Sequence, residues 1–201
     1  MSTDQLGTGY AGETPRDSTQ SKARILDAAT AEFAAYGLAG ARVDRIAAQA
    51  GANKQLIYRY FGSKEALFDS ALAANIDRLL DEIPFNALDL PGYAVTMFDF
   101  AHAHRELVRL VRWHTLERPG VLWALPNAAE STRLKVAALR QAQEAGVVDG
   151  ALPAEHMLEL LLSLIHSAAE SHAIGDSPAA VAARRRAVAH GAQRLTTPSR
   201  A

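Results

Sequence analysis

Residues 43–61, VDRIAAQAGANKQLIYRYF, limit what this chain can fold into more than any other stretch. Val43, Ile46, Ala47 and Ala50 repeat at i, i+3, i+4 and i+7, which predicts a short amphipathic helix. Gly51 follows at once, and glycine tolerates the positive φ that ends a helix. Asn53 then offers a side-chain oxygen to cap a second helix, whose inward face is Ile57, Tyr60 and Phe61. Ala47 is small where two steeply crossed helices come closest. Two short helices, a Gly-containing turn and a crossing angle of about 90–120° make a helix-turn-helix. The competing reading is an ordinary helical hairpin.

The outward residues separate the two readings. Arg42, Arg45, Asn53, Lys54, Gln55, Tyr58, Arg59 and Lys64 all donate hydrogen bonds, and none is acidic. Asn and Gln can read adenine in the major groove, while Lys and Arg reach guanine or phosphate. With Val43 at the start of the first helix, these residues form the expected DNA-contact set. Residues 16–64 hold eight Lys or Arg against four Asp or Glu, a net +4 on a chain of net −1. A basic segment on a mildly acidic protein is the footprint of a nucleic-acid reader.

The run AGANKQLIYRYFGSKEALF resembles the DNA-binding segment of the tetracycline-repressor (TetR) family. Its most specific part is Tyr58, Tyr60, Phe61, Ser63, Lys64 and Glu65, and the likeness reaches back through ARILDAATAEFAAYG to cover residues 18–80. The resemblance implies an all-α homodimeric repressor released from a double-stranded DNA operator by a small ligand. It places Tyr58 and Lys64 on phosphate and residues 53–55 near bases. Many relatives carry Thr or Ser where this chain has Arg42, so the first motif helix is expected to lack its usual cap. Leu56 stands where a small or hydroxylated residue is frequent.

The rest of the chain predicts three parts: a disordered arm over 1–17, a DNA-binding domain over 18–82, and a helical ligand-binding and dimerisation domain over 84–197. Residues 1–16 are rich in Gly, Ser and Thr and show no periodicity. Ile25, Ala29 and Phe33 predict a helix over 18–36, ended by Gly37. Ser63 caps a fourth helix running to about Ile83, where Pro84 stops it. Helical patterns follow over 92–102, 105–116, 127–145, 153–174 and 178–195, about nine helices in all, with no alternating strand pattern. The fourth helix joins both parts and is the expected lever for a ligand signal.

Two further sites follow from pattern. The segment MLELLLSLIHSAAESH carries two adjacent apolar stripes, wider than one core needs. It predicts a two-fold four-helix interface built from Leu158, Leu161, Leu162, Ile165, Ala169, Val181 and Val188, against the alternative of a central helix buried in one subunit. Met97, Phe100, His102, His104, Trp113, His114 and Trp123 are candidates to line a pocket for an apolar or amphipathic small molecule. His166 and Glu170, four apart, could share a ligand or pair at an interface.

Composition narrows the classes. With 201 residues, 49% hydrophobic, the chain can bury a substantial core. It has no cysteine, which excludes disulfides and thiolate metal sites and fits a reducing, cytoplasmic setting. No run approaches the ~20 apolar residues of a membrane span. There is no Gly-rich phosphate loop, H-E-x-x-H or nucleophile elbow, so no cofactor, metal site or catalytic residue is expected. The competing functions are a helical small-molecule-binding protein or enzyme with a helix-turn-helix-like motif, and a nonspecific architectural DNA binder.

Overall fold

The computed structural model describes residues 15–170 and 176–198, apart from the side chains of 15–17 and 123. Every regular element among them is helical: α1 (Pro15–Gly40), α2 (Val43–Ala50), α3 (Lys54–Phe61), α4 (Lys64–Glu82), α5 (Leu90–Ala103), α6 (Arg105–Glu117), α7 (Val121–Ala124), α8 (Pro126–Glu144), α9 (Ala154–Glu170) and α10 (Pro178–Thr196). Nine are of eight residues or more, and α7 is a single turn that the sequence pattern does not reveal. The expected arm lies outside the described residues as far as residue 14, and α1 begins at Pro15. Residues 171–174 of the helix expected over 153–174 also lie outside them.

Two apolar clusters organise the chain. The first joins Ile25, Ala29 and Phe33 of α1 with Val43, Ile46, Ala47 and Ala50 of α2, Ile57 of α3, and Leu67, Phe68, Ala71 and Leu72 of α4. Leu107 and Leu110 of α6 belong to this cluster too, although they come after Pro84 in the chain. Packing therefore does not divide where the loop after α4 divides the sequence. The second cluster centres on α5, through Tyr93, Ala94, Met97 and Phe98, against α8, α9 and α10. Phe100 packs against both clusters.

The wide apolar face of α9 has an intramolecular explanation. Leu158, Leu161 and Ile165, together with Val188 of α10, are at most 3% exposed in the single chain. They pack against α5 and α8 and have no surface left to give a second copy. The expectation that these four form a dimer interface is corrected to the central-helix alternative. Leu162, Ala169 and Val181 are partly buried on the same cluster.

Candidate nucleic-acid interface and its link to an apolar cavity

The α2–α3 corner is built by local chemistry. Gly51 adopts φ 61° and ψ 37°, the left-handed turn at the end of α2. The Ala52 N–H then donates to the Ala47 carbonyl at 3.0 Å, closing the turn. Asn53 Oδ1 accepts from the Leu56 N–H at 2.7 Å and starts α3. Arg42 precedes α2 with no side-chain cap. Its N–H instead donates to Glu32 Oε1 at 2.8 Å. Ile57, 1% exposed, pins α3 to the core and leaves Lys54, Gln55, Tyr58 and Arg59 along one exposed face.

The expected DNA-contact residues do not all sit alike. Lys54 Nζ lies 3.0 Å from Asp44 Oδ1, an exposed pair that phosphate can displace. The Arg59 guanidinium lies 5.4 Å from the Tyr60 ring centre, with Lys22 Nζ at 5.1 Å. Lys64 Nζ donates to the Ala41 carbonyl at 3.4 Å, beside the start of α2. One expectation is corrected, and two other residues meet partners within the chain. Val43 is 5% exposed, so its side chain is core. The Asn53 carbonyl oxygen is occupied by capping. Arg45 is committed to Glu32, with Nε 2.8 Å and 3.0 Å from the two carboxylate oxygens, and it stacks over Tyr36. Burial pushes the Glu32 carboxyl up, but the Arg45 bond and the Arg42 N–H more than offset this and hold it below its ordinary value.

α6 fastens this region to the rest of the chain. Gly37 breaks α1 with φ 67° and ψ −179°. Over the break, the Glu117 carboxylate accepts from the N–H groups of Leu38 at 3.1 Å and Ala39 at 3.0 Å. Trp113 Nε1 donates to the Ala34 carbonyl at 3.3 Å. At the next residue, His114 Nε2 meets Asp69 Oδ1 of α4 at 2.9 Å. Arg118 grips the same carboxylate with two bonds of 2.7 Å. His114 is fully buried and its Nδ1 has no partner, so Nε2 carries the proton and donates to Asp69.

A cavity of about 150 Å³ lies beside this joint. Its walls are Ile76, Leu79 and Leu80 of α4, Met97 and Phe100 of α5, Leu107, Val108 and Val111 of α6, and Leu122 of α7. Ser131, Thr132 and Lys135 of α8 and Leu162, His166 and Glu170 of α9 complete it. Met97 and Phe100 are where the sequence places them. The other ligand candidates are corrected: Trp113 and His114 are spent on the α6 joint, and His102 stacks on Phe98 with ring centres 6.2 Å apart. His104 is exposed, its ring 4.1 Å from that of Phe100. The Trp123 side chain lies outside the described residues. His166 and Glu170 do share the cavity wall, but Glu170 pairs with Arg112. The α4 and α8 contributions escape sequence reading because they are ordinary amphipathic positions until the fold brings them together.

Comparison with known proteins gives a consistent assignment. The pattern of "Bacterial regulatory proteins, tetR family" matches residues 25–71, and that of "Tetracyclin repressor-like, C-terminal domain" matches residues 89–194. The chain is 45% identical over 152 residues to the HTH-type transcriptional repressor SCO4008 of Streptomyces coelicolor, covering 74% of this chain and 78% of the relative. A candidate transcriptional regulator of the same organism, SCO4942, superposes with a TM-score of 0.75 at 32% identity, covering 88% of this chain and 98% of that one. The Bacillus subtilis regulator FadR in complex with stearoyl-CoA shares the fold, with a TM-score of 0.66 at 16% identity, covering 85% and 96% of the two chains.

Proposed function

The chain belongs to the tetR family of bacterial regulatory proteins, and on that premise we propose that it represses transcription as a homodimer and leaves its operator when a small molecule fills the α4–α6 cavity. It is a DNA-binding transcriptional regulator and not an enzyme. No helix among the described residues is long and apolar enough to cross a membrane. Lys54, Gln55, Tyr58 and Arg59 on α3, with Arg42 and Lys64 beside them, make the DNA-facing surface in this reading. Two such surfaces must stand about one DNA turn apart, ~34–36 Å, to enter successive major grooves.

One observation carries the ligand part. α4 begins at Lys64 beside the DNA-facing surface and lines the cavity with Ile76, Leu79 and Leu80. A helix of 19 residues spans about 28 Å as one stiff element. A ligand that shifts one end tilts the other and changes the separation of the two α3 helices. Linkage then makes ligand and operator weaken each other equally, typically by about 5- to 150-fold. The FadR structure, with stearoyl-CoA bound, supports a ligand-binding reading for this fold.

Single substitutions separate reading from positioning. Gln55→Ala should relax base preference at one position of each half-site, by about 1–3 kcal/mol. Lys64→Ala should weaken all sequences alike and lower the salt slope by about one unit. Binding isotherms at several salt concentrations decide this, and an unchanged slope for Lys64→Ala would remove that residue from the phosphate contacts.

The dimer surface must come from what the single chain leaves exposed. On α9 that includes Leu160, 48% exposed, with Ser163 and Ser167. On α10 it includes Ala183 and Ala187, small residues that let two helices approach closely, with His190 beside them. Gly191 already allows Leu164 within 3.0 Å of where a Cβ would stand. Leu160→Glu places a charge at this face and should turn a micromolar dimer into monomers in sedimentation. A variant that sediments as the wild type would place the interface elsewhere.

A further inference from the structure

We propose that the cavity takes an amphipathic organic carboxylate, its acid group held by Lys135 and its apolar body lying between α4, α5 and α6. This rests on the cavity being the ligand site. Lys135 lines both the cavity and an outer groove formed by Leu80, Ile83, Phe85, Glu130 and Leu134, and Glu130 in that groove is already paired with Arg133. Ser131, one helical turn earlier on α8, lines both as well and adds a hydroxyl on the same face.

Charge in the cavity is unbalanced, and the imbalance is positive. Among the described residues Lys135 has no carboxylate within ion-pair distance and no hydrogen bond; its ammonium lies 5.6 Å from the Tyr93 ring centre and 6.0 Å from that of Phe85. Tyr93 supplies a ring and not a phenolate, because burial pushes its pKa up to about 12. The acid in the opposite wall, Glu170, is already neutralised by Arg112. Desolvation lowers the pKa of His166, and Glu170 only partly opposes it. Burial likewise lowers the pKa of Lys135, the sign of an ammonium short of a counter-ion. A carboxylate entering the cavity would supply that counter-ion with a charge-assisted hydrogen bond. A cationic ligand would meet Lys135 with no free acid to receive it.

The test uses decanoate, decanol and decylammonium, titrated calorimetrically into the full chain, its Lys135→Met variant and its Lys135→Arg variant. Decanoate should bind the wild type and Lys135→Arg similarly and lose about ten-fold in Lys135→Met, while decanol binds all three within about two-fold. Melting curves of the variants establish that each is folded, and Lys135→Arg tests the charge where Lys135→Met does not fold. Equal decanoate affinity in wild type and Lys135→Met, or decylammonium binding more tightly than decanoate, overturns the carboxylate while decanol binding keeps the cavity as a site. Failure of all three probes to bind the wild type overturns the cavity reading itself and this proposal with it.

Discussion

Gly37→Ala is expected to destabilise the protein by about 3–5 kcal/mol, from two sources that act together. At φ 67° and ψ −179° the backbone occupies a region open essentially to glycine alone. A Cβ there would also collide with Glu117 Oε1 and stand 2.8 Å from Trp113 Cε3 and 2.9 Å from Trp113 Cδ2. The indole is held by its bond to Ala34 and the carboxylate by Leu38 and Ala39, so neither can withdraw without breaking the α1–α6 joint. For a chain of this size the loss should lower Tm by about 10 °C or more. Gly146→Ala is the control: φ is also positive, at 70°, but nothing lies within 4 Å, so only the backbone term of about 1 kcal/mol remains. Thermal unfolding of both variants checks this, and equal losses would mean that α6 does not press on the α1 break.

Asp69→Ala is expected to cost about 2–4 kcal/mol, because truncation strands groups that have no alternative partner. His114 is completely buried, so losing Asp69 leaves both ring nitrogens unsatisfied inside the protein. Arg118 loses both of its bonds to the carboxylate, although it keeps some access to water. The arrangement should also be strongly non-additive: once Asp69 is gone, Arg118→Ala should add little. The same substitution cuts the polar tie between α4 and α6, so it should weaken the mutual effect of ligand and operator more than it weakens either binding alone. A Tm for Asp69→Ala within about 1 °C of wild type would contradict this.

Local chemistry is what the sequence makes legible. Gly51, Asn53 and Ser63 act on residues within a few positions of themselves, so turn, cap and helix start are readable one after another. The outward face of α3 follows from the inward one, since Ile57 fixes the register. What escapes is decided by distant partners. Arg45 looks like a DNA-facing cation until the fold brings in Glu32, thirteen positions earlier. His114 and Trp113 look like pocket residues because their type suits a pocket, yet α6 turns them toward Asp69 and Ala34, 45 and 79 positions away. On α9 the apolar stripes give the width of the buried face but not its partner, and α5, α8 and α10 of the same chain are the partner. Lys135 carries no signal of its own in the sequence, because its significance lies in the absence of a nearby acid.

The most direct test of the central claim is a footprint of the full chain on duplexes selected from mixed genomic fragments. A two-fold dimer should recover a short two-fold symmetric sequence with two protected major-groove half-sites about one helical turn apart, ~34–36 Å, and Gln55→Ala should lose the preference at one position per half-site. Equal affinity for every fragment, or a single protected half-site, would contradict it.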